Sequence, residues 1–146
     1  MKLKILVPLT LLLTLALAEP ASPENPEHVR QLLTMGACMK CDLSNADLRQ
    51  AHLIGADLRR ANLQGAILIE ANLEGADLTG ANLEGANLSK AMVTNASLTN
   101  ANLNHVNLSG AQIYHADVTG ASTDNIDLRN AQMLGTPINI GGDGAN

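Results

Sequence analysis

The sequence predicts an all-β solenoid, a coil of chain that turns a corner every five residues. Three observations lead to this prediction: a five-residue period that runs unbroken from Ala46 to Ala131, a Leu two residues after nearly every repeating Ala, and almost no aromatic side chains. Five residues advance about 500° on an α-helix, so the Leu side chains would form no stripe. On a flat strand every second Leu would face water. A chain that turns in the same sense at every repeat brings all of them to one axis.

The composition agrees with a narrow, regular core. The chain has no Phe and no Trp, and Tyr114 is its only aromatic residue. The repeating Ala must also point inward, while the Asn or Asp between Ala and Leu should point outward and bond the backbone at the corner. The Leu residues expected in the core are Leu48, Leu58, Leu63, Leu73, Leu78, Leu83, Leu88, Leu98 and Leu103.

The pattern Ala-(Asp/Asn)-Leu-x-x, carried from Asp42 to about Ile138, closely resembles the pentapeptide-repeat family. The resemblance implies a right-handed quadrilateral β-helix with four repeats per coil. Residues twenty apart would then stack on adjacent coils, as Asp57 and Asp77 should. We therefore expect a β-rich rod of about five coils over residues 42–138.

The N-terminus has the features of a secretory signal peptide at residues 1–18. Two Lys precede an apolar run, and a small-x-small site at Ala16–Ala18 favours cleavage between Ala18 and Glu19. The alternative is an N-terminal membrane anchor, but the run is shorter than the ~20 residues that a span needs. We expect no stable anchor after cleavage, and a flexible leader at residues 19–25.

A short capping helix is predicted before the repeats. Asn25 is an N-cap candidate, Pro26 suits the first helical position, and Gly36 can end the helix after Thr34. Residues 26–41, comprising this helix and two Cys, should cover the open end of the solenoid. The Gly-rich residues 139–146 should be disordered.

Cys38 and Cys41 are the only two Cys residues. In the repeat register Cys38 takes a Leu-type inward position and Cys41 the following Ala-type position. A Cys-x-x-Cys followed by Asp-Leu-Ser is similar to exported cyanobacterial pentapeptide-repeat proteins. We expect a structural disulfide. A redox pair would lack the α/β frame of thioredoxin-like motifs, and a zinc site would need two more ligands.

No group of residues points to catalysis, so we expect a protein that is not an enzyme and that has no cofactor and no metal site. The four His, residues 28, 52, 105 and 115, are interpreted as solvated surface side chains. Asp57 and Asp77 could bind a cation weakly, but Asp recurs in these repeats as a turn residue. Tyr114 over Leu134 should form a small exposed apolar spot.

The leading functional hypothesis is an exported, non-enzymatic scaffold for an unknown protein partner. The resemblance places it in a periplasm or thylakoid lumen. We expect a monomer or weak dimer that binds no nucleic acid. One alternative is an acidic DNA mimic that binds a topoisomerase such as DNA gyrase, as some family members do. The repeats carry ten acidic and five basic side chains, which is dilute for a duplex mimic. A thiol redox protein using Cys38 and Cys41 is the second alternative.

Overall fold

The computed structural model describes residues 25–138. Four predicted features lie outside the described residues: the signal peptide at residues 1–18, the cleavage site between Ala18 and Glu19, nearly all of the leader, and the tail at 139–146. Their predictions therefore stay predictions.

The repeats stack with a register of twenty residues. Parallel bridges join residues twenty apart at every fifth position, from Ala37↔Asp57 to Asn107↔Asp127. At one such step the Leu63 N–H donates to the Asn82 carbonyl at 2.7 Å, and the Asn82 N–H donates to the Ala61 carbonyl at 2.9 Å. Because four repeats fill twenty residues, the coil has four sides. The coil begins at Ala37, one repeat earlier than the predicted 42.

Each corner is a tight turn with a positive φ at the fifth position of the repeat. Between Leu63 and Ala66, for example, the Ala66 N–H donates to the Leu63 carbonyl at 3.0 Å, and Gly65 has φ 66°. Every fifth residue from Lys40 to Gly135 has such a φ, twenty residues in all, which correspond to five coils of four corners. A positive φ at the third residue of a turn favours Gly or Asn, and these two types fill most of the corners.

The described chain contains few regular strands. Only two are longer than a single bridge: β1 at Gln112–Tyr114 and β2 at Gln132–Leu134, which pair in parallel. The expectation of a β-rich rod is therefore wrong in degree, although the pairing pattern is that of a β-helix. Elsewhere each side holds a single bridge between two corners.

The core is a column of Leu and Ala on the coil axis. The nine predicted Leu residues are all buried, with at most 3% of their surface exposed. In the last coil the core is less well covered, and Ile126, Leu128 and Ala131 are only partly buried.

The N-terminal end carries helix α1, Pro26–Met35, one residue longer than predicted. The Asn25 side chain accepts hydrogen bonds from the first turn, and Gly36, with φ 64°, ends the helix by donating to the Leu32 carbonyl at 2.9 Å. Leu32 is 1% exposed and packs on the core, so α1 covers this end of the coil.

Candidate interaction surface

One side of the coil carries a continuous row of hydrogen-bonded polar side chains, which we call the amide ladder. Along it Asn62 Nδ2 donates to Asp42 Oδ1 at 3.2 Å, and Asn82 Nδ2 donates to Asn62 Oδ1 at 3.3 Å. Asn102 Nδ2 donates to Asn82 Oδ1 at 3.1 Å, and Ser122 Oγ donates to Asn102 Oδ1 at 3.1 Å. These bonds hold five outward side chains in one row across all five coils.

Each amide of the ladder is also fixed to its own corner. Asn82 Oδ1 accepts from the Glu84 backbone N–H at 3.2 Å, and Asn102 Oδ1 accepts from the Asn104 N–H at 3.1 Å. This bonding of Asn and Asp to the backbone two residues on confirms the predicted corner role. A carboxamide has two N–H donors, and the ladder uses one of them. Asn102 Nδ2 also donates to Glu84 Oε2 at 3.4 Å. The ladder is a pre-organised row of polar side chains.

The Asp pair predicted on another side stacks as expected, and an arginine occupies the space beside it. Asp57 and Asp77 form a parallel bridge. Arg59 Nη2 lies 2.7 Å from Asp57 Oδ2, and Arg59 Nε lies 3.8 Å from Asp77 Oδ2. Hydrogen bonding from Arg59 keeps the pKa of Asp57 below its usual value. The guanidinium takes the position that a bound cation would need.

The same Asp-Leu-Arg pairing recurs at two other corners. Arg49 pairs with Asp47, and Arg129 Nη2 lies 2.7 Å from Asp127 Oδ2. The Arg129 hydrogen bonds lower the pKa of Asp127 to about 2. Exposed ion pairs of this kind contribute little to stability, about 0–1 kcal/mol each. Their main effect here is to reduce the acidic character of the surface.

Two features lie where α1 meets the first coil. A disulfide links Cys38 to Cys41 in the structure, with 5.3 Å between their Cα atoms, and both residues are buried. His28 on α1 accepts a hydrogen bond at Nδ1 from the Asp42 backbone N–H at 3.0 Å. The interpretation of His28 as a solvated side chain is therefore wrong: the ring is half-buried and holds the helix to the coil. Its position before the Cys pair offered no sequence signal for this contact.

Comparison with known families identifies the repeat. The family model "Pentapeptide repeats" matches residues 41–80 and 81–120, in eight copies. These ranges cover more than half of the chain. The chain belongs to the pentapeptide-repeat family. No curated protein sequence matches it significantly.

Several solved pentapeptide-repeat proteins resemble this one. HetL from the cyanobacterium Nostoc sp. strain PCC 7120, involved in heterocyst differentiation regulation, is 24% identical, with 68% of this chain and 73% of HetL covered and a TM-score of 0.44. A protein from the Arabidopsis thaliana thylakoid lumen is 29% identical, with 75% of this chain and 73% of that protein covered and a TM-score of 0.42. QnrB1, a plasmid-mediated fluoroquinolone resistance protein, is 22% identical, with 67% and 60% covered and a TM-score of 0.46.

Members of this family are generally structural or interaction proteins. In the pentapeptide-repeat protein described here, residues 25–138 include no cluster of His, Cys, Asp or Glu suited to a metal ion. His52, on one side of the coil, and His105 and His115, at two different corners, are exposed. No helix within the same range is long and apolar enough to cross a membrane.

Some exposed apolar side chains interrupt the polar surface of this pentapeptide-repeat protein. Tyr114 stacks on Leu134 in the β1–β2 pair, as predicted, and Leu134 is 64% exposed. Ile67 and Ile69, by contrast, are half-buried. Exposed apolar side chains therefore lie near both ends of the described coil, since Leu33, Met35 and Met39 at the capped end are also exposed.

Proposed function

We propose that this protein is an exported, non-enzymatic scaffold that binds a protein partner along the amide ladder. The observation that supports the proposal most strongly is the ladder itself. Asn62, Asn82 and Asn102 are each held by bonds to the next coil and to their own corner. A partner that binds there meets side chains that are already ordered, so less conformational entropy is lost on binding.

The export half of the proposal rests on the N-terminal sequence and the Cys pair. Residues 1–18 have the order of a signal peptide, and a disulfide between Cys38 and Cys41 would persist in an oxidising compartment. The likeness of Cys-x-x-Cys-Asp-Leu-Ser to exported cyanobacterial members favours a periplasm or thylakoid lumen. The family likeness also makes the coil right-handed in this proposal.

The two alternatives have less support. For a DNA mimic, three acidic residues of the repeats are paired with Arg two positions on, which dilutes the acidic surface further. For a thiol redox protein, Cys38 is 0% exposed and Cys41 is 5% exposed, and thiol exchange requires a sulfur that the attacking thiolate can reach.

The test combines fractionation with capture of the native protein by an antibody. Asn82→Arg places a long cation in the middle of the ladder, and Asn72→Arg makes the same change at the same repeat position on the opposite side of the coil. Both variants are first shown by circular dichroism to fold. We expect Asn82→Arg to reduce the captured partner about tenfold, equivalent to about 1.4 kcal/mol. Asn72→Arg should leave it unchanged.

Equal retention of the partner by the two variants would contradict the ladder as the binding side. Recovery of the protein in the cytoplasm with an intact N-terminus would contradict export. Copurification with a topoisomerase from that fraction would establish the DNA-mimic alternative instead.

A further inference from the structure

Two basic side chains of the coil form no ion pair within residues 25–138. Of the nine Lys and Arg residues, Lys2 and Lys4 lie outside this range. Five of the others are paired with a carboxylate: Arg30, Arg49, Arg59, Lys90 and Arg129. Lys40 and Arg60 are the two that remain, and both are exposed. On a chain with a formal net charge of −5, acidic groups are plentiful, so two unpaired cations mark a distinct place on the surface.

Lys40 and Arg60 lie at the same corner on adjacent coils. The Lys40 N–H donates to the Arg59 carbonyl at 2.9 Å, and the Arg60 N–H donates to the Thr79 carbonyl at 2.9 Å. Both residues have a positive φ, 60° and 58°. Because stacked residues of neighbouring strands are about 4.8 Å apart, the two side chains leave the coil close together and their charges repel each other.

The corner column that contains Lys90 shows how the coil otherwise arranges charge. There Glu70 lies between Gln50 and Lys90: its Oε2 accepts from Gln50 Nε2 at 2.9 Å, and its Oε1 lies 3.7 Å from Lys90 Nζ. Each cation in that column has a complementary neighbour one coil away. The residue that follows Lys40 and Arg60 in their own column is Gly80, which has no side chain to neutralise them. An anion supplied from outside the coil would complete this column.

A cleft of about 340 Å³ opens at this corner. It is lined by Met39, Lys40, Arg59, Arg60 and Thr79. Arg59 is already bound to carboxylates, since its Nη2 lies 2.7 Å from Asp57 Oδ2 and its Nε lies 3.8 Å from Asp77 Oδ2. Three cations therefore line the cleft and two carboxylates flank it, which leaves one net positive charge for a ligand.

The remaining charge and the donors suit a single carboxylate. A guanidinium offers N–H donors in a planar fork that matches both oxygens of a carboxylate, and an ammonium is a compact point donor. Arg60 can therefore hold both oxygens while Lys40 donates to one of them. A phosphate monoester, with a charge of about −1.5 to −2 at pH 7, exceeds the one positive charge. Met39, which is 51% exposed, supplies an apolar wall for the methylene groups of an acidic side chain.

The cleft adjoins the amide ladder. Asp42 and Asn62, the first two members of the ladder, follow Lys40 and Arg60 by two residues and lie on the next side of the coil. The Asp42 carboxylate is itself occupied, since its Oδ1 accepts from Ser44 Oγ at 2.7 Å and from Asn62. Exposed ion pairs are individually weak, so a free small acid gains little at this corner. A partner already seated on the ladder presents its carboxylates at a high effective concentration.

We propose that Lys40 and Arg60 bind the carboxylate of an Asp or Glu side chain that a protein partner presents beside the amide ladder. The assignment of this carboxylate to a partner rests on the proposed function, whereas the carboxylate site stands on its own geometry. Arg60 sets the preference for a carboxylate, because its fork binds two oxygens at once. Because the new ion pairs are exposed, binding weakens as the ionic strength rises.

The probe is a tri-glutamate peptide with blocked ends, titrated into the full exported protein at low salt and followed by NMR. The matched control probe is the blocked tri-glutamine peptide. We expect the backbone amide signals of residues 39–40 and 59–60 to shift with the Glu peptide and not with the Gln peptide. Added salt should suppress these shifts.

Variants of the two cations identify the site. Lys40→Gln and Arg60→Gln should each weaken binding of the Glu peptide about tenfold, and Arg60→Lys, which keeps the charge and loses the fork, about threefold. Gln50 occupies an equivalent corner with positive φ, so Gln fits the backbone there. Lys90→Gln removes a cation that is already paired with Glu70, and this control variant should bind the peptide as the wild type does.

Absence of Glu-dependent shifts at these residues would overturn the proposal, as would an equal loss of affinity in Lys90→Gln. Larger shifts with inorganic phosphate than with the Glu peptide, at equal ionic strength, would rule out the carboxylate as the preferred ligand.

Antibody capture tests the partner assignment separately. Lys40→Gln combined with Arg60→Gln should reduce the captured partner. If Asn82→Arg leaves capture unchanged while the Glu peptide still binds, the ladder proposal fails and the carboxylate site stands. If Asn82→Arg abolishes capture and the Lys40→Gln, Arg60→Gln double variant captures as the wild type does, the ladder stands and the partner's carboxylate is excluded.

Discussion

Replacement of Leu83 tests whether the axial Leu column carries the stability of the coil. Leu83 lies in the third of the five coils, so coils on both sides pack on it, and none of its surface is exposed. Leu83→Ala removes buried methyl groups and leaves a cavity that the rigid corners above and below cannot close. We expect a loss of about 3 kcal/mol in the free energy of unfolding. Leu83→Lys should prevent folding, because it places an unpaired charge on the axis.

The neighbouring residue supplies the matched control. Asn82 points outward, donates to Asn62 and accepts from Asn102. Asn82→Ser loses part of this ladder, but a Ser hydroxyl makes the equivalent bond at Ser122. The expected loss is about 1 kcal/mol.

Urea unfolding followed by circular dichroism measures both variants. In melting temperature, the Leu83→Ala loss corresponds to a decrease on the order of 10 °C, and the Asn82→Ser loss to a few degrees. Similar losses for the two would refute the assignment of an inward Leu and an outward Asn. A Leu83→Lys protein that melts like the wild type would refute it equally.

The remaining predictions concern the cap, the surface charges and the corners. Reduction of Cys38–Cys41 should speed hydrogen exchange in α1 and leave the middle coils protected; melting of the whole coil would instead make the cap essential to the fold. Hydrogen bonding from Arg129 lowers the folded-state pKa of Asp127 to about 2, whereas the unfolded pKa is about 4. The stabilisation from this pair is therefore complete above about pH 4 and is lost as the pH falls from about 4 to 2. Thermal melts at successive pH values would detect this loss as a falling melting temperature. A flat profile over that range would show that the surface ion pairs are energetically silent. Gly120→Ala should destabilise the fold more than Gly75→Ala. Both glycines have positive φ, but a Cβ at Gly120 would lie 2.3 Å from Asn100 Oδ1, whereas a Cβ at Gly75 would have no atom within 4 Å. Equal melting temperatures for the two variants would contradict this steric account.

Some local features followed from residue type alone. The capping helix could be predicted to within one residue, because Asn25, Pro26 and Gly36 act through their own backbone and side-chain chemistry. The corner bonds of Asn and Asp are equally local, since each reaches a backbone N–H two residues away. The bias of the fifth repeat position to Gly and Asn is a further local signal, because it marks the corners with positive φ.

Other features depend on which residues the coil brings together. Arg59 lies beside both Asp57 and Asp77 only because residues twenty apart are neighbours, and His28 reaches Asp42 only because α1 folds over the first coil. The continuity of the amide ladder has the same origin. The twenty-residue register predicts which side chains stack on one another, but it does not predict the hydrogen bonds between them.

The sequence by itself determined that the chain coils with Leu inward, because a five-residue period is incompatible with both a helix and a flat strand. It did not determine the number of sides, which the family likeness supplied, or how little regular strand the coil contains. The tertiary structure decided both. The turn at each corner sets how far the chain rotates, and that rotation places residue i against residue i+20, with a single bridge on nearly every side. The open C-terminal end was likewise decided in three dimensions, because a Leu-type position is buried only where another coil covers it.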